Sequence, residues 1–228
     1  MNKIVLFYLK EIFEMIKKKY VLASLGLSTF LLASCDGENI KEMQSSVSEI
    51  DQIHDDIITE INALTDEEAE LQTSFDETLK SDEELSTFAD GSAPVFENIE
   101  SRREHLESIK SLDKQFEEQE ETLASYEGES LSGEELDGLN SIIDEFSSQL
   151  QEFTKEYDAS LTSQKDYFTS IAGEKATYDT FSEGISTVNE QQSAMQEDLV
   201  TLDETLVSLD TQITEAQEMI ETALTENE

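Results

Sequence analysis

Tryptophan is absent from this chain, and proline and cysteine occur once each. Only eight glycines are spread through 228 residues. With so few breakers and abundant Glu, Leu, Gln and Ala, long helices are favoured over sheets or turn-rich folds. A single cysteine excludes an internal disulfide. The only histidines, His54 and His105, have no second histidine or cysteine at metal-ligand spacing. No apolar run reaches the ~20 residues that a membrane-spanning helix needs. Basic residues are scarce, with 14 Lys and Arg against 54 Asp and Glu, a net charge of −40. That balance excludes direct binding to nucleic acid, whose phosphates demand a basic face. It also opposes lying flat on an anionic membrane. There is no G-x-S-x-G turn, no phosphate-cradling glycine loop and no EF-hand loop. The acidic clusters at 66–68, 82–84 and 117–118 therefore read as places of diffuse divalent-cation binding rather than formed metal sites.

What is present begins with the one cysteine. Lys17, Lys18 and Lys19 precede an apolar run from Tyr20 to Leu32, and the small residues Ala33 and Ser34 follow. Charge, apolar run and cleavage site in that order make a secretory signal. The residues before Met15 give an unusually long basic region, so translation is expected to begin at Met15. Leu32, Ala33, Ser34 and Cys35 match a bacterial lipobox, with Leu three places before a cysteine and small residues between. Cys35 is then expected to carry a diacylglyceryl thioether, with or without an N-acyl chain, and to become the first residue after cleavage. The alternative is a free thiol in an ordinary signal peptide. Loss of residues 1–34 removes five Lys and two Glu, leaving nine basic and 52 acidic residues, a net of −43.

The remaining breakers mark joints: Gly91 with Pro94, Gly128 with Gly133, and Gly173. Four helical segments are predicted, at 39–89, 94–127, 133–172 and 177–226, with Gly138 and Gly184 inside helices. The last has the clearest apolar stripe, running from Tyr178, Phe181, Ile185 and Val188 through Leu202, Leu206 and Leu209 to Ile213 and Ile220. Gln192 is its only polar member over seven heptads. The first segment repeats the pattern from Ile40 to Phe75 with His54 on the seam. The third does so from Leu136 to Ile171, including Tyr157 and Tyr167. The second is weaker, interrupted by Asp113 and Glu120. Ser132 with Glu135 fits a capping box, and Thr177 fits an N-cap. Short joints between long helices favour antiparallel neighbours. The predicted fold is all-α, an elongated antiparallel helical bundle with coiled-coil-like packing, as one domain over 39–226 after a tether at 35–38. Parallel self-association through the last segment is the alternative.

Arg102 and Arg103, the only arginine pair in the chain, lie with His105 beside Glu100 and Glu107. They read as a helix face of ion pairs, each contributing ~0.2–0.5 kcal/mol, or as a docking patch standing out on an acidic surface. The lipobox, IESRREHLESIKSLDKQFEEQEETL, FTKEYDASLTSQKDYFTSI and YDTFSEGISTVNEQ together resemble the YkyA family, small lipoproteins of Firmicutes described as cell-wall-binding. The resemblance covers roughly 38–225 and implies a helical extracytoplasmic protein. Of functional residues it carries over only the lipidated Cys35. The resulting expectation is a non-catalytic lipoprotein on the outer face of the cytoplasmic membrane, with no cofactor beyond its lipid. It would act as a helical spacer or interaction module, with a wall polymer or a surface protein as partner. The alternative is a wall-modifying enzyme or an activator of one.

Overall fold

The stretches without breakers fold as helices in the computed structural model, which describes residues 37–226. They are α1 (Gly37–Ser81), α2 (Ser86–Asp90), α3 (Pro94–Ala124), α4 (Gly133–Ser170) and α5 (Tyr178–Glu226). No strand occurs among the described residues. The signal segment, Leu32, Ala33, Ser34 and Cys35 lie outside them.

Side-chain pairs fix the directions. Between α1 and α3, Ser46 reaches Gln119, Glu60 reaches His105, and Glu67 reaches Asn98. An advance along one helix is matched by an equal retreat along the other, so the two are antiparallel. Asp113 with Gln151 and Glu100 with Lys165 set α3 against α4 in the same sense. Thr205 with Gln149 and Ser160 with Gln191 do so for α4 and α5. Contacts between α5 and α1 close the ring, giving an up-and-down four-helix bundle.

The joints explain the helix ends. Pro94 opens α3 at a position where its missing N–H removes no bond. Ser132 caps α4 by accepting from Glu135 N–H at 3.4 Å, while its own N–H goes to Met219 Sδ at 3.2 Å. Thr177 and Thr180 cap α5 reciprocally, each hydroxyl accepting from the other's backbone N–H at 3.2 and 2.9 Å. The expected first segment, 39–89, is in fact two helices. Asp82 breaks it by accepting from Thr87 N–H and hydroxyl, both at 2.7 Å, and from the Ser86 hydroxyl at 3.1 Å. A carboxylate that caps the next turn cannot stay on the face of the previous helix. Leu85 then turns through φ 56°, and Phe88 of α2 enters the core.

The stripes read from sequence are buried as seams, from Ile40 on α1 to Ala223 on α5. The α5 seam is consumed inside the chain by α4 and α1, which leaves parallel self-association without its surface. Two members depart from expectation. Tyr178 is 83% exposed, and Phe168 rather than Tyr167 points fully inward.

Two helical glycines separate packing from propensity. A methyl group at Gly184 would collide with the ring of Tyr167, which lies on the α5 backbone and donates its hydroxyl to Phe181 C=O at 3.1 Å. A methyl at Gly138 would meet only the mobile end of Gln212, at 3.0 Å. Gly138→Ala should therefore gain up to ~1 kcal/mol from helix preference. Gly184→Ala should lose about 1 kcal/mol net, because overpacking outweighs that gain. Urea denaturation of both variants checks this, and a stabilised Gly184→Ala would place the Tyr167 ring elsewhere.

Candidate functional site

All four long helices contribute to one polar layer inside the bundle. Arg102 of α3 has no exposed surface and is the largest side chain so buried. Its Nη2 donates to Gln164 Oε1 of α4 at 2.7 Å, and its Nη1 to the Tyr157 hydroxyl at 3.3 Å. The guanidinium carbon lies 5.9 Å from the Tyr157 ring centre, close enough for a cation–π contribution. Tyr157 passes the interaction on, donating to Glu68 Oε2 of α1 at 2.6 Å. Gln164 Nε2 donates to Ser160 Oγ, which donates to Gln191 Oε1 of α5. Gln192 of α5 also acts on the Glu68 carboxyl, pulling its pKa down. The positive charge is thus answered through a hydroxyl, since no carboxylate touches Arg102 among the described ion pairs. Its Nε finds no partner.

Glu68 is half-buried as a residue, but its carboxyl end is the part turned inward to Tyr157. Burial pushes that carboxyl above its ordinary pKa, against the pull of the Tyr157 bond, the Arg102 charge and Gln192. Burial and then the Glu68 charge push the Tyr157 phenol well above its usual range. Beyond this layer, toward the joints at 82–93 and 171–177, the core becomes aromatic. Phe75 packs on Phe88, Phe168 and Phe181 with ring centres 5.8, 5.4 and 6.2 Å away.

The basic cluster expected from sequence does not form one surface. Arg102 is internal, as described. Arg103 is held on the outside by Glu100 and Asp158, both at 3.2 Å. His105 pairs with Glu60 of α1 at 2.7 Å. The helical period sends consecutive residues to different faces, so the three serve as ties between helices and not as a shared docking patch. His54 sits on the α1 seam with no exposure and reaches the Leu206 carbonyl of α5 at 3.3 Å.

Two surface clefts accompany the bundle. One of about 450 Å³ lies between α4 and α5, against Gly138, Ile142, Glu145, Ser208 and Thr211. The other, about 520 Å³, lies at the end bearing the 82–93 joint, between the start of α3 and the end of α4. Ser92, Phe96, Glu97, Glu100, Lys165 and Thr169 line it. Lys165 holds Glu100 at 2.8 Å and, with Arg103, keeps that carboxyl below its usual pKa. No group of three or more potential metal ligands gathers among the described residues. No described helix is long and apolar enough to cross a membrane.

The carboxyl shifts predict the response to pH. Burial raises Glu68, raises Glu120 with help from Asp144, and raises Asp198 with help from Glu156. A folded-state pKa above the unfolded one means the folded chain binds more protons, so these groups add stability as pH falls from neutral. Asp82, held down to about 2 by Thr87 and Ser86, acts oppositely, as do Asp90 through Ser92 and Glu100 through Lys165. Their contribution is lost below the ordinary carboxylate range of about 4. The melting temperature should therefore rise between pH 7 and about 5 and fall again below about 4. Circular dichroism melts across that range check it, and a monotonic decline from pH 7 would contradict the sign. At pH 7, added NaCl should raise the melting temperature by screening acidic self-repulsion.

A family model described as "Putative cell-wall binding lipoprotein" (YkyA) matches residues 38–219. It spans α1 through most of α5, including the polar layer and both clefts. No curated protein and no solved structure matches the chain.

Proposed function

Because the chain belongs to the YkyA family of cell-wall binding lipoproteins, we propose that it is a lipid-anchored helical module that joins the outer face of the cytoplasmic membrane to the wall above it. The anchor is a diacylglyceryl group on Cys35, exposed by cleavage after Ser34. The helices give this reading a scale. α1 starts at Gly37, two residues beyond Cys35, so at most ~7 Å of extended chain separates the lipid from the bundle. Its 45 residues then reach ~68 Å, which brings the 82–93 joint well clear of the headgroups. Repulsion between anionic lipids and a net −43 surface favours holding the bundle outward.

A non-catalytic role is supported by where the chemistry lies. Glu68, whose carboxyl is raised by burial and bonded by Tyr157, lines neither cleft. In the cleft nearest the 82–93 joint, Glu100 is shifted down instead of up. General acid catalysis calls for a raised carboxyl facing substrate.

The observation that carries the proposal is the family match over 38–219, placed directly behind a lipobox. Co-sedimentation with isolated wall sacculi, alongside membrane fractionation of cells, tests it. The protein should partition with membranes and bind sacculi. Retention in membranes with no affinity for sacculi would leave the spacer without its wall contact and refute the reading.

A further inference from the structure

The end of the bundle opposite the start of α1 carries the 520 Å³ cleft, and the side chains there have the character of a saccharide site. The mostly buried Phe96 and Ala93 give its apolar floor, and Ser92 and Thr169 line it with hydroxyls that donate to Asp90 and to the Lys165 carbonyl and so are left as acceptors. Two carboxylates face one ammonium: Glu100 is paired with Lys165, whereas Glu97 has no ion-pair partner among the described residues. Such a mixture of a few convergent polar groups over an apolar floor, at this volume, is what small-ligand clefts use. The charges exclude a polyanion, because the site is net negative on a chain of net −43. Hydroxyl donors suit it, since an ionised carboxylate only accepts hydrogen bonds. The surroundings are rigid: Phe96 packs on Phe88 at 6.4 Å, and Asn98 fixes the start of α3 to Glu67 C=O at 2.6 Å. The opening is therefore already formed.

We propose that this cleft receives an uncharged, hydroxyl-rich glycan strand of the wall, with a sugar ring against the exposed edge of Phe96 and sugar hydroxyls donating to Glu97, Glu100, Ser92 and Thr169. The inference rests on the wall-association reading and adds its ligand and its place. Lys165 keeps the Glu100 carboxyl below its usual pKa, and Glu97 is exposed in the first turn of α3.

The test mixes full-length lipoprotein in detergent micelles with sacculi stripped of anionic polymers, and adds an N-acetylglucosamine tetramer as competitor. Thr169→Trp fills the cleft from an exposed position, and Glu97→Ala removes the unpaired acceptor without adding bulk. Both should weaken binding at least tenfold, while Thr211→Trp, which fills the other cleft, should bind as wild type does. The tetramer should displace wild-type protein. If Thr169→Trp and Glu97→Ala bind normally, or if Thr211→Trp loses as much, the cleft is not the site. If the tetramer fails to compete, the ligand is not a glycan. In those cases wall association still stands, whereas wild-type protein that ignores sacculi overturns both.

Discussion

Arg102→Ala should lower the stability of the bundle by about 3–5 kcal/mol, a large share of the 5–15 kcal/mol that holds an ordinary domain folded. The guanidinium is wholly enclosed, so its loss leaves a cavity among four helices. It also leaves Glu68 with a buried carboxyl and no cation, and Gln164 Oε1 without its 2.7 Å donor. Breaking one member of such a set is costly because the others remain desolvated. The partner experiment is more telling. Arg102→Met with Glu68→Gln replaces both charges by groups of similar bulk, and should recover most of the loss. Urea unfolding of Arg102→Met, Glu68→Gln and the double variant, read as a cycle, should give a coupling of about 1–3 kcal/mol. Additive effects, or a loss under about 1 kcal/mol for Arg102→Ala, would mean that the arginine reaches solvent.

The second large effect concerns Cys35→Ala. Without the sulfur no thioether can form; among the described residues no helix is long and apolar enough to cross a bilayer, and the acidic surface is repelled by anionic lipid. A single acyl chain already gives only marginal attachment, so complete loss of lipid should shift the protein from the membrane fraction to the medium or leave an uncleaved precursor. Fractionation with and without detergent distinguishes these. Unchanged membrane retention with normal processing would remove Cys35 from the account.

The helices were legible because their stripes are long and their breakers few. Ile40 to Phe75 and Tyr178 to Ala223 announce themselves by spacing alone. The weakness of the second predicted segment, α3, has a physical reason. Two of its core positions are Arg102 and Asp113, both buried, and a charge inside a bundle looks like an interruption when only apolar residues are counted. The polar layer left a trace in every stripe. α1 skips from Leu64 to Leu71 across Glu68, and α3 skips from Ile99 to Leu106 across Arg102. α4 carries Gln164 between Leu161 and Phe168, and α5 carries Gln192 between Val188 and Met195. Each gap alone resembles noise, and only the antiparallel register aligns them. Of the two readings of Arg102, Arg103 and His105, ion pairing describes Arg103 and His105, whereas Arg102 is buried, which spacing in the sequence does not reveal. The break at Asp82 was missed because Asp82, Glu83 and Glu84 read as a solvated acidic run, whereas Asp82 finds Ser86 and Thr87 as capping partners. The cleft beside Phe96 had no sequence signal, since it is assembled from the ends of α3 and α4 and the joint before them.

The central claim is that this acidic bundle is a lipoprotein held by its single cysteine. Intact mass measurement of the protein extracted from membranes, with fragmentation of its N-terminal peptide, tests it most directly. The account predicts a chain beginning at Cys35 with a diacylglyceryl group on sulfur, with or without a further acyl group on its amine. A mature chain that begins elsewhere, or a Cys35 recovered as a free thiol, would contradict it.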